Sequence, residues 1–463
     1  MSKKDQKPSQ PRSQIDRRGF LKATAGTAAG LYAMGAGPGF GVLAPAFAED
    51  KQPIGNYPVK GDKVVYGFAP GLTGSYSTEG EDEMRAYKLA VEHLNNGGGM
   101  VDTMNPTSLK GNGVLGKEVT YVTGDSATDP DVARKTARRM IERDGVIVFG
   151  GGASSSVAIA QQELGQEKGV ICMTALTHSS WTTGKDRRRY GFRHFFHDYQ
   201  TGMALSPVLA KEFGSDRRAF HLTADYSWGH SQQASMQEFT EKEGWTTVDN
   251  IYTPLGEKDY SQYLTAFLNS DADVLVLNHY GQDAANSMAQ AARFRIRDLE
   301  KNGKKVEVAC PMFSALVARG AGDAAAGVLT TINWYHTLED PGSQAFTKAF
   351  MEKYDRPPSQ AAQTCYVQMM LFSDAAERAG SFYPPDMIKA LEDHRVEGVG
   401  PGELYYRGCD HQAFHDVLVV RAKATDEQQH EFDQFEIVRQ VPRDEVMYDC
   451  DLLGGELGPY IPA

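Results

Sequence analysis

The chain has 463 residues and a formal net charge of −12. Apolar residues at 41% and charged residues at 23% are ordinary globular values, and the acidic balance makes nucleic acid and anionic membrane surfaces poor partners. So long a chain exceeds one compact core and implies two domains.

Residues 1–48 read as an export address. Arg17-Arg18-Gly19-Phe20-Leu21-Lys22 precede an uncharged stretch, and Ala46-Phe47-Ala48 stand before Glu49. The pattern resembles a twin-arginine signal peptide with its cleavage site, departing from the motif at Asp16, where Ser or Thr is usual. Residues 23–48 could span a bilayer. Their glycines, Pro38 and Pro45, and their scarcity of Leu and Ile, favour cleavage over anchoring. The expectation is a periplasmic protein without a lipid anchor or a later membrane span.

Strand and helix signals then alternate. Val64-Val65-Tyr66-Gly67-Phe68-Ala69 is a β-branched and aromatic run stopped by Pro70 and Gly71. Met84, Tyr87, Val91 and Leu94 follow at helical spacing. A strand is expected at 118–123. A helix should open at Asp129-Pro130, with Asp129 as N-cap and Pro130 in the first helical position. Strands follow at 146–149 and 170–174, with a helix from about Ser155 between them. The rhythm resumes after Tyr199, with strands at 219–223, 248–252 and 274–278 and helices at 231–242, 260–269 and 284–294. Such alternation implies parallel sheets flanked by helices, in two similar α/β lobes.

Ligands in such sheets bind beyond the carboxyl ends of the strands. The loop Gly71-Leu72-Thr73-Gly74 leaves the first strand, and Gly150-Gly151-Gly152-Ala153-Ser154-Ser155-Ser156 leaves the third. Glycines allow close backbone approach, and a helix start at the serines offers N–H groups and hydroxyls to a carboxylate or amide. The bland alternative is turn chemistry with an N-cap.

Among five cysteines, Cys172, Cys310 and Cys365 lie in apolar patterns expected to bury them. Cys409 and Cys450, in an oxidising compartment, are expected to pair, adding roughly 3–4 kcal/mol on the chain-entropy model. Their spacing matches no zinc pattern.

The order and spacing of several segments resemble the periplasmic solute-binding proteins of ABC importers, of the leucine/isoleucine/valine-binding type. The segments are Gly71–Gly74, Tyr87-Lys88-Leu89-Ala90-Val91-Glu92-His93-Leu94-Asn95, Gly124-Asp125-Ser126-Ala127-Thr128-Asp129-Pro130, the Gly150–Ser156 loop, Leu222-Thr223-Ala224-Asp225-Tyr226-Ser227-Trp228-Gly229 and Cys409-Asp410-His411-Gln412. The resemblance implies a two-lobed type I fold with three hinge crossings, near Phe196, Trp334 and Tyr406. It would place 62–195 and 335–405 in lobe 1, and 196–334 and 406–463 in lobe 2. It also implies a small ligand gripped by hinge closure and handed to permease subunits, with no cofactor or metal and no catalysis.

Carried over residue by residue, the resemblance implies ligand contacts from Ser154, Ser155, Leu176, Thr177 and His178 in the first lobe. Trp228 and Tyr280 would close over the ligand from the second. Glu79 falls where an aromatic can stand at the cleft mouth. Phe313 falls near the place where amino-acid binders put an acid for the α-ammonium. Because a buried ammonium without an anion is costly, either Glu79 or Asp225 supplies the charge, or the ligand is an amide, an organic acid or an aromatic acid. Trp181, Trp228, Tyr280, Phe313 and Trp334 could line an aromatic cleft; Phe313 and Trp334 could equally be core.

An enzyme is the first rival, but hydrolase, zinc-protease and P-loop motifs are missing. Gly111-Asn112-Gly113-Val114-Leu115-Gly116 matches a dinucleotide fingerprint but precedes a strand. His411 and His415, four apart without a helical frame, read as surface or hinge residues, and Arg187-Arg188-Arg189 as a solvated patch. The second rival is a clamp that presents its ligand to a signalling partner.

Overall fold

The computed structural model describes residues 51–462; the expected signal peptide lies outside them. Strands β1 (Lys63–Phe68), β2 (Glu118–Thr123), β3 (Val148–Gly150), β4 (Ile171–Thr174) and β5 (Gly191–Arg193) form a parallel sheet in the order β2-β1-β3-β4-β5. Helices α1 (Ser77–Asn96), α2 (Pro130–Glu142) and α3 (Ser155–Lys168) make its crossovers. Asp129 caps α2, accepting from the N–H groups of Asp131 and Val132, with Pro130 at the helix start.

After α4 (Asp198–Phe213), the pattern repeats with β6 (Arg218–Ala224), α5 (Ser227–Lys242), β7 (Thr246–Thr253), α6 (Ser261–Asn269), β8 (Val274–Asn278) and α7 (Gly281–Arg293). A small hairpin, β9 (Glu300–Lys301) and β10 (Lys304–Lys305), leads to β11 (Glu307–Ala309). The second parallel sheet runs β11-β8-β6-β7. Every residue of central β8 is buried, as for a strand covered on both faces, whereas edge strand β7 is largely half-exposed.

Helix α8 (Ala315–Ala321) and β12 (Leu329–Ile332) follow, then α9 (Pro341–Tyr354), α10 (Gln360–Ala379) and α11 (Pro384–Leu391). These last three helices return to the first sheet: Phe346, Tyr366, Phe372 and Ile388 share a core with Val64, Tyr66, Phe68 and Tyr87. Phe68 stacks on Tyr87 with ring centres 4.3 Å apart, a pairing of about 0.5–1.5 kcal/mol beyond area burial. A short sheet of β13 (Arg395–Val396), β14 (Leu404–Tyr406) and β15 (Ala413–Phe414) precedes β16 (Val417–Ala422) and β17 (Phe435–Val441). The antiparallel sheet β12-β16-β17 packs Leu418 and Val420 onto the second sheet's core of Leu222, Leu275 and Leu277.

The segment beyond the Cys409–Cys450 disulfide (Cα–Cα 6.4 Å) docks on residues 187–190. Arg187 donates to the carbonyls of Cys450 and Gly455, the Arg189 N–H to Leu457 O, and the Tyr190 hydroxyl to Tyr460 O at 2.6 Å. The arginine run is therefore an anchor for the tail and not a solvated patch: Arg187 is 7% exposed. His411 is likewise interior, stacked on Phe192 at 3.9 Å and bonded to Gly191 O and Glu392.

Candidate functional site

Loops at the carboxyl ends of both sheets face one another, and side chains from both meet there. Tyr76, Ala153, Leu176 and Ala361 from the first-sheet side share one buried cluster with Trp228, Tyr280 and Met312 from the second-sheet side. Polar bonds ring the cluster. The hydroxyls of Tyr76 and Tyr226 lie 2.7 Å apart, those of Ser156 and Ser227 3.0 Å, and those of Ser179 and Ser231 2.8 Å. Ser314 donates to Glu79 at 3.1 Å, and the Ser180 N–H donates to Asp198 at 3.1 Å. Bonds of this kind exist only when the two sets of loops are together.

Local sequence fixes the parts. The Gly150–Gly152 loop leaves β3 with Gly151 at φ +115° and Gly152 at φ +98°, backbone that a Cβ strains. This conformation aims the Gly152 N–H at Glu83, donating at 2.6 Å. Glu79 and Glu83 are one helical turn apart on the buried face of α1. Gly281 opens α7 at φ +58°, and a Cβ there would stand 2.6 Å from the Tyr76 ring.

Several buried polar atoms in this region make no well-aligned hydrogen bond: Glu83 Oε1, which lies beside Cys365, Trp228 Nε1, the Tyr280 hydroxyl, which lies beside Gln360 and Ser314, and both amide atoms of Gln360. Leaving such atoms unpaired costs roughly 1–3 kcal/mol each. Burial pushes the Glu79 carboxyl up to about 7 and the Glu83 carboxyl up to about 8. Burial also holds the Tyr280 phenol well above its usual range, reinforced by the charge of nearby Glu79. None of these groups is a Lys or Arg.

The structure brings Glu79, Leu176, Trp228 and Tyr280 together. Ser154 is buried at the N-cap of α3, next in sequence to Ala153 of the cluster, with no side-chain cap bond. The other expected contacts are occupied elsewhere. Ser155 Oγ accepts from the Thr177 hydroxyl at 3.0 Å and from the N–H groups of His178 and Ser179 at 3.2 and 3.0 Å. Thr177 is further tied to Thr182. His178 is bonded through Nδ1 to Phe196 O at 2.8 Å and through Nε2 to Thr201 at 2.9 Å. Burial, aided by Arg193, holds its imidazole well below the usual histidine range. Both its ring nitrogens are engaged, and the ring lies edge-on to Trp228, 6.2 Å between centres. Phe313 belongs to the second core, 5.7 Å from Phe435, and Trp334 to the first, donating to Ser343. Asp225 points to exposed His230, leaving Glu79 as the acid of that pair within the cluster.

Sequence reasoning missed Glu83 and Gln360. Glu83 had a usable signal: it lies four residues from Glu79 and from Tyr87, so an acid was written into an otherwise apolar helical stripe. Gln360 had none, because only the return of α10 to the first sheet places it there. Cys409, Asp410 and Cys450 cluster closely enough for metal ligation, but the two sulfurs are bonded to each other.

Two parallel sheets, flanked by helices and meeting at their strand ends over unpaired polar atoms, define a solute-binding protein. The chain belongs to the family described as "Periplasmic binding protein", whose model matches residues 64–428; this is a family of binders and not of enzymes. Among curated relatives, the Leu/Ile/Val-binding protein homolog 8 of Brucella abortus (strain 2308) is 23% identical over 342 residues, 71% of this chain and 80% of that protein. The fold is also that of a periplasmic binding protein from Burkholderia mallei, with TM-score 0.75 and 21% identity over 84% of this chain and 96% of that one. A solute-binding protein of an ABC transporter from Rhodopseudomonas palustris BisB5, solved with 3,4-dihydroxybenzoic acid, matches at TM-score 0.70 and 20% identity, covering 83% and 98%. Among the described residues, no helix is long and apolar enough to cross a membrane.

Proposed function

We propose that this protein binds a small nitrogen-bearing solute, an amino acid or amide, between its two sheets and delivers it to the permease of an ABC importer. The observation that carries this reading is the set of unpaired buried groups, Glu83 Oε1, Trp228 Nε1, the Tyr280 hydroxyl and the Gln360 amide, at facing strand ends. Trp228 and Tyr280 can donate to a ligand oxygen. Glu83, with Glu79 beside it, can accept from an ammonium or an amide N–H. Once these carboxyls ionise, above about pH 7 to 8, a bare ligand carboxylate beside them lacks a compensating cation. The relatives named for Leu, Ile and Val agree with a nitrogen-bearing ligand; the relative solved with dihydroxybenzoic acid marks the competing aromatic acids.

In this reading lobe 1 comprises 62–195 with 335–405, and lobe 2 comprises 196–334 with 406 to about 448, the tail strapping back onto lobe 1. Three crossings form the hinge, and ligand shifts the population toward the closed arrangement. The first 48 residues direct export to the periplasm, by a twin-arginine route.

A thermal-shift screen of the purified protein against L-amino acids, small amides including urea, and aromatic acids tests the reading. A true ligand at 100 times its dissociation constant adds about 2.7 kcal/mol. Stabilisation by amino acids or amides supports it. Stabilisation by aromatic carboxylates alone overturns the ligand class.

A further inference from the structure

Away from this site, a small cavity of about 10 Å³ lies where the segments connecting the two sheets converge. Its polar wall takes one residue from each connection. His194 follows β5, Asn333 follows β12, and His415 lies between β15 and β16. All three are at least 95% buried, at 2%, 1% and 5% exposure. Four of their polar atoms make no well-aligned hydrogen bond: both ring nitrogens of His194, which lies beside Gln363, His415 Nε2, whose ring faces the His194 backbone, and Asn333 Oδ1.

The hydrogen bonds these residues do make fix what they offer. His415 Nδ1 lies 2.8 Å from the carbonyl of Asp416. A carbonyl only accepts, so Nδ1 carries the proton and Nε2 presents a lone pair. A backbone carbonyl holding the far nitrogen is the arrangement that orients metal-binding histidines. The Asn333 amide nitrogen donates to Gln363 at 3.0 Å and Thr364 at 3.1 Å, which leaves its oxygen as a free acceptor. Burial holds both imidazoles below the usual histidine range, in the neutral form. His415 Nε2, Asn333 Oδ1 and one ring nitrogen of His194 thus offer lone pairs to the cavity, while the other His194 nitrogen carries a proton; the three lone pairs suit a cation.

The spacing suits an ion. The rings of His194 and His415 are 5.4 Å apart between centres and tilted by 30°. An ion held by one nitrogen of each ring, with metal–nitrogen bonds of about 2.0–2.1 Å, would fit between ring centres that far apart.

We propose that His194, His415 and Asn333 bind one divalent transition-metal ion of the Zn²⁺, Ni²⁺ or Cu²⁺ kind, tying together the three connections between the sheets. Two imidazoles and an amide oxygen match the borderline character of these ions and not that of Mg²⁺ or Ca²⁺, which take oxygen ligands. The site is separate from the ligand cleft, so its existence does not depend on which solute is carried.

The test is titration of tag-free, metal-stripped protein with Zn²⁺, Ni²⁺ and Cu²⁺ by calorimetry, with Mg²⁺ as the control ion. One ion per chain is expected, with binding weakened at least tenfold in His194→Phe and in His415→Phe. His230→Ala, an exposed histidine elsewhere, should leave that ion's affinity unchanged. Absorption of the Co²⁺-loaded protein should show the intense visible bands of a tetrahedral site. If the phenylalanine variants misfold, X-ray absorption of the Zn²⁺-loaded wild type counts imidazole ligands, and two are expected. No saturable uptake, uptake indifferent to both histidines, or fewer than two imidazoles would overturn the proposal.

Discussion

Ser314 and Glu79 meet across the gap between the two sheets, hydroxyl to carboxylate at 3.1 Å, with both residues buried. Ser314 is also the N-cap of α8, accepting from the Val317 N–H at 3.2 Å. One hydroxyl therefore starts a helix on one side and reaches a carboxylate on the other. Together with Tyr76–Tyr226 and Ser156–Ser227, this contact belongs to the joined state alone.

Removing such a bond should act on ligand affinity without touching ligand. Tyr226→Phe deletes the hydroxyl partner of Tyr76 while keeping the ring. Affinity is expected to fall by about 0.5–1.5 kcal/mol, mostly through faster release. Stopped-flow release rates and calorimetry together measure this. An unchanged rate would mean that the tyrosine pair does not contribute to closure.

The unpaired donors should bind the solute directly. Trp228→Phe and Tyr280→Phe each remove one donor and keep most of the buried aromatic area. Each should weaken binding by about 1 kcal/mol, roughly fivefold, and Ser154→Ala by about 1–2 kcal/mol for a carboxylate or amide ligand. Calorimetric dissociation constants decide this. Wild-type affinity in all three variants would move the site elsewhere.

Glu83 should make stability and binding depend on pH. Its folded value of about 8, and that of Glu79 at about 7, both exceed the ordinary carboxyl value of 4.5. Between about 4.5 and 8 the folded protein therefore holds more protons than the unfolded chain, and stability falls as pH rises through that window. In Glu83→Gln the fall should shrink. The variant should melt above wild type at pH 8 and level with it at pH 4.5. For a cationic ligand, wild-type affinity should rise from pH 6 to pH 8, because binding favours the ionised carboxyl, and that rise should be absent in the variant. Parallel melting curves across pH would refute the assignment.

Cys409 and Cys450 close a loop with a sequence separation of 41. On the chain-entropy model, removing the bond by Cys409→Ser with Cys450→Ser destabilises the fold by about 4 kcal/mol. Urea unfolding of the double variant measures the loss. Because Arg187 donates to Cys450 O, loosened docking of the tail should accompany it, visible as faster proteolysis beyond residue 448.

Much of the architecture was legible in the chain itself. Hydrophobic runs of four to six residues, alternating with helical stripes, specify parallel strands with crossover helices. They do so because burial on both faces leaves no alternation to confuse the pattern. The loops that would face a ligand could be read for the same reason, since strand direction fixes which ends carry the site. Trp228, in a polar loop before Gly229, and Tyr280, just before Gly281, were readable from that rule.

Tertiary structure decided the rest. A histidine reads alike in any loop: His178 proved saturated by Phe196 and Thr201, while His415 stands opposite His194, 221 positions away. Phe313 and Trp334 were apolar in the sequence whichever way they faced, and only packing gave them to the two cores. Gln360 and the arginine run acquired partners through the returns of α10 and of the tail. Local pattern records what each residue can bury or donate; which donor meets which acceptor depends on contacts between distant segments, which local periodicity does not encode.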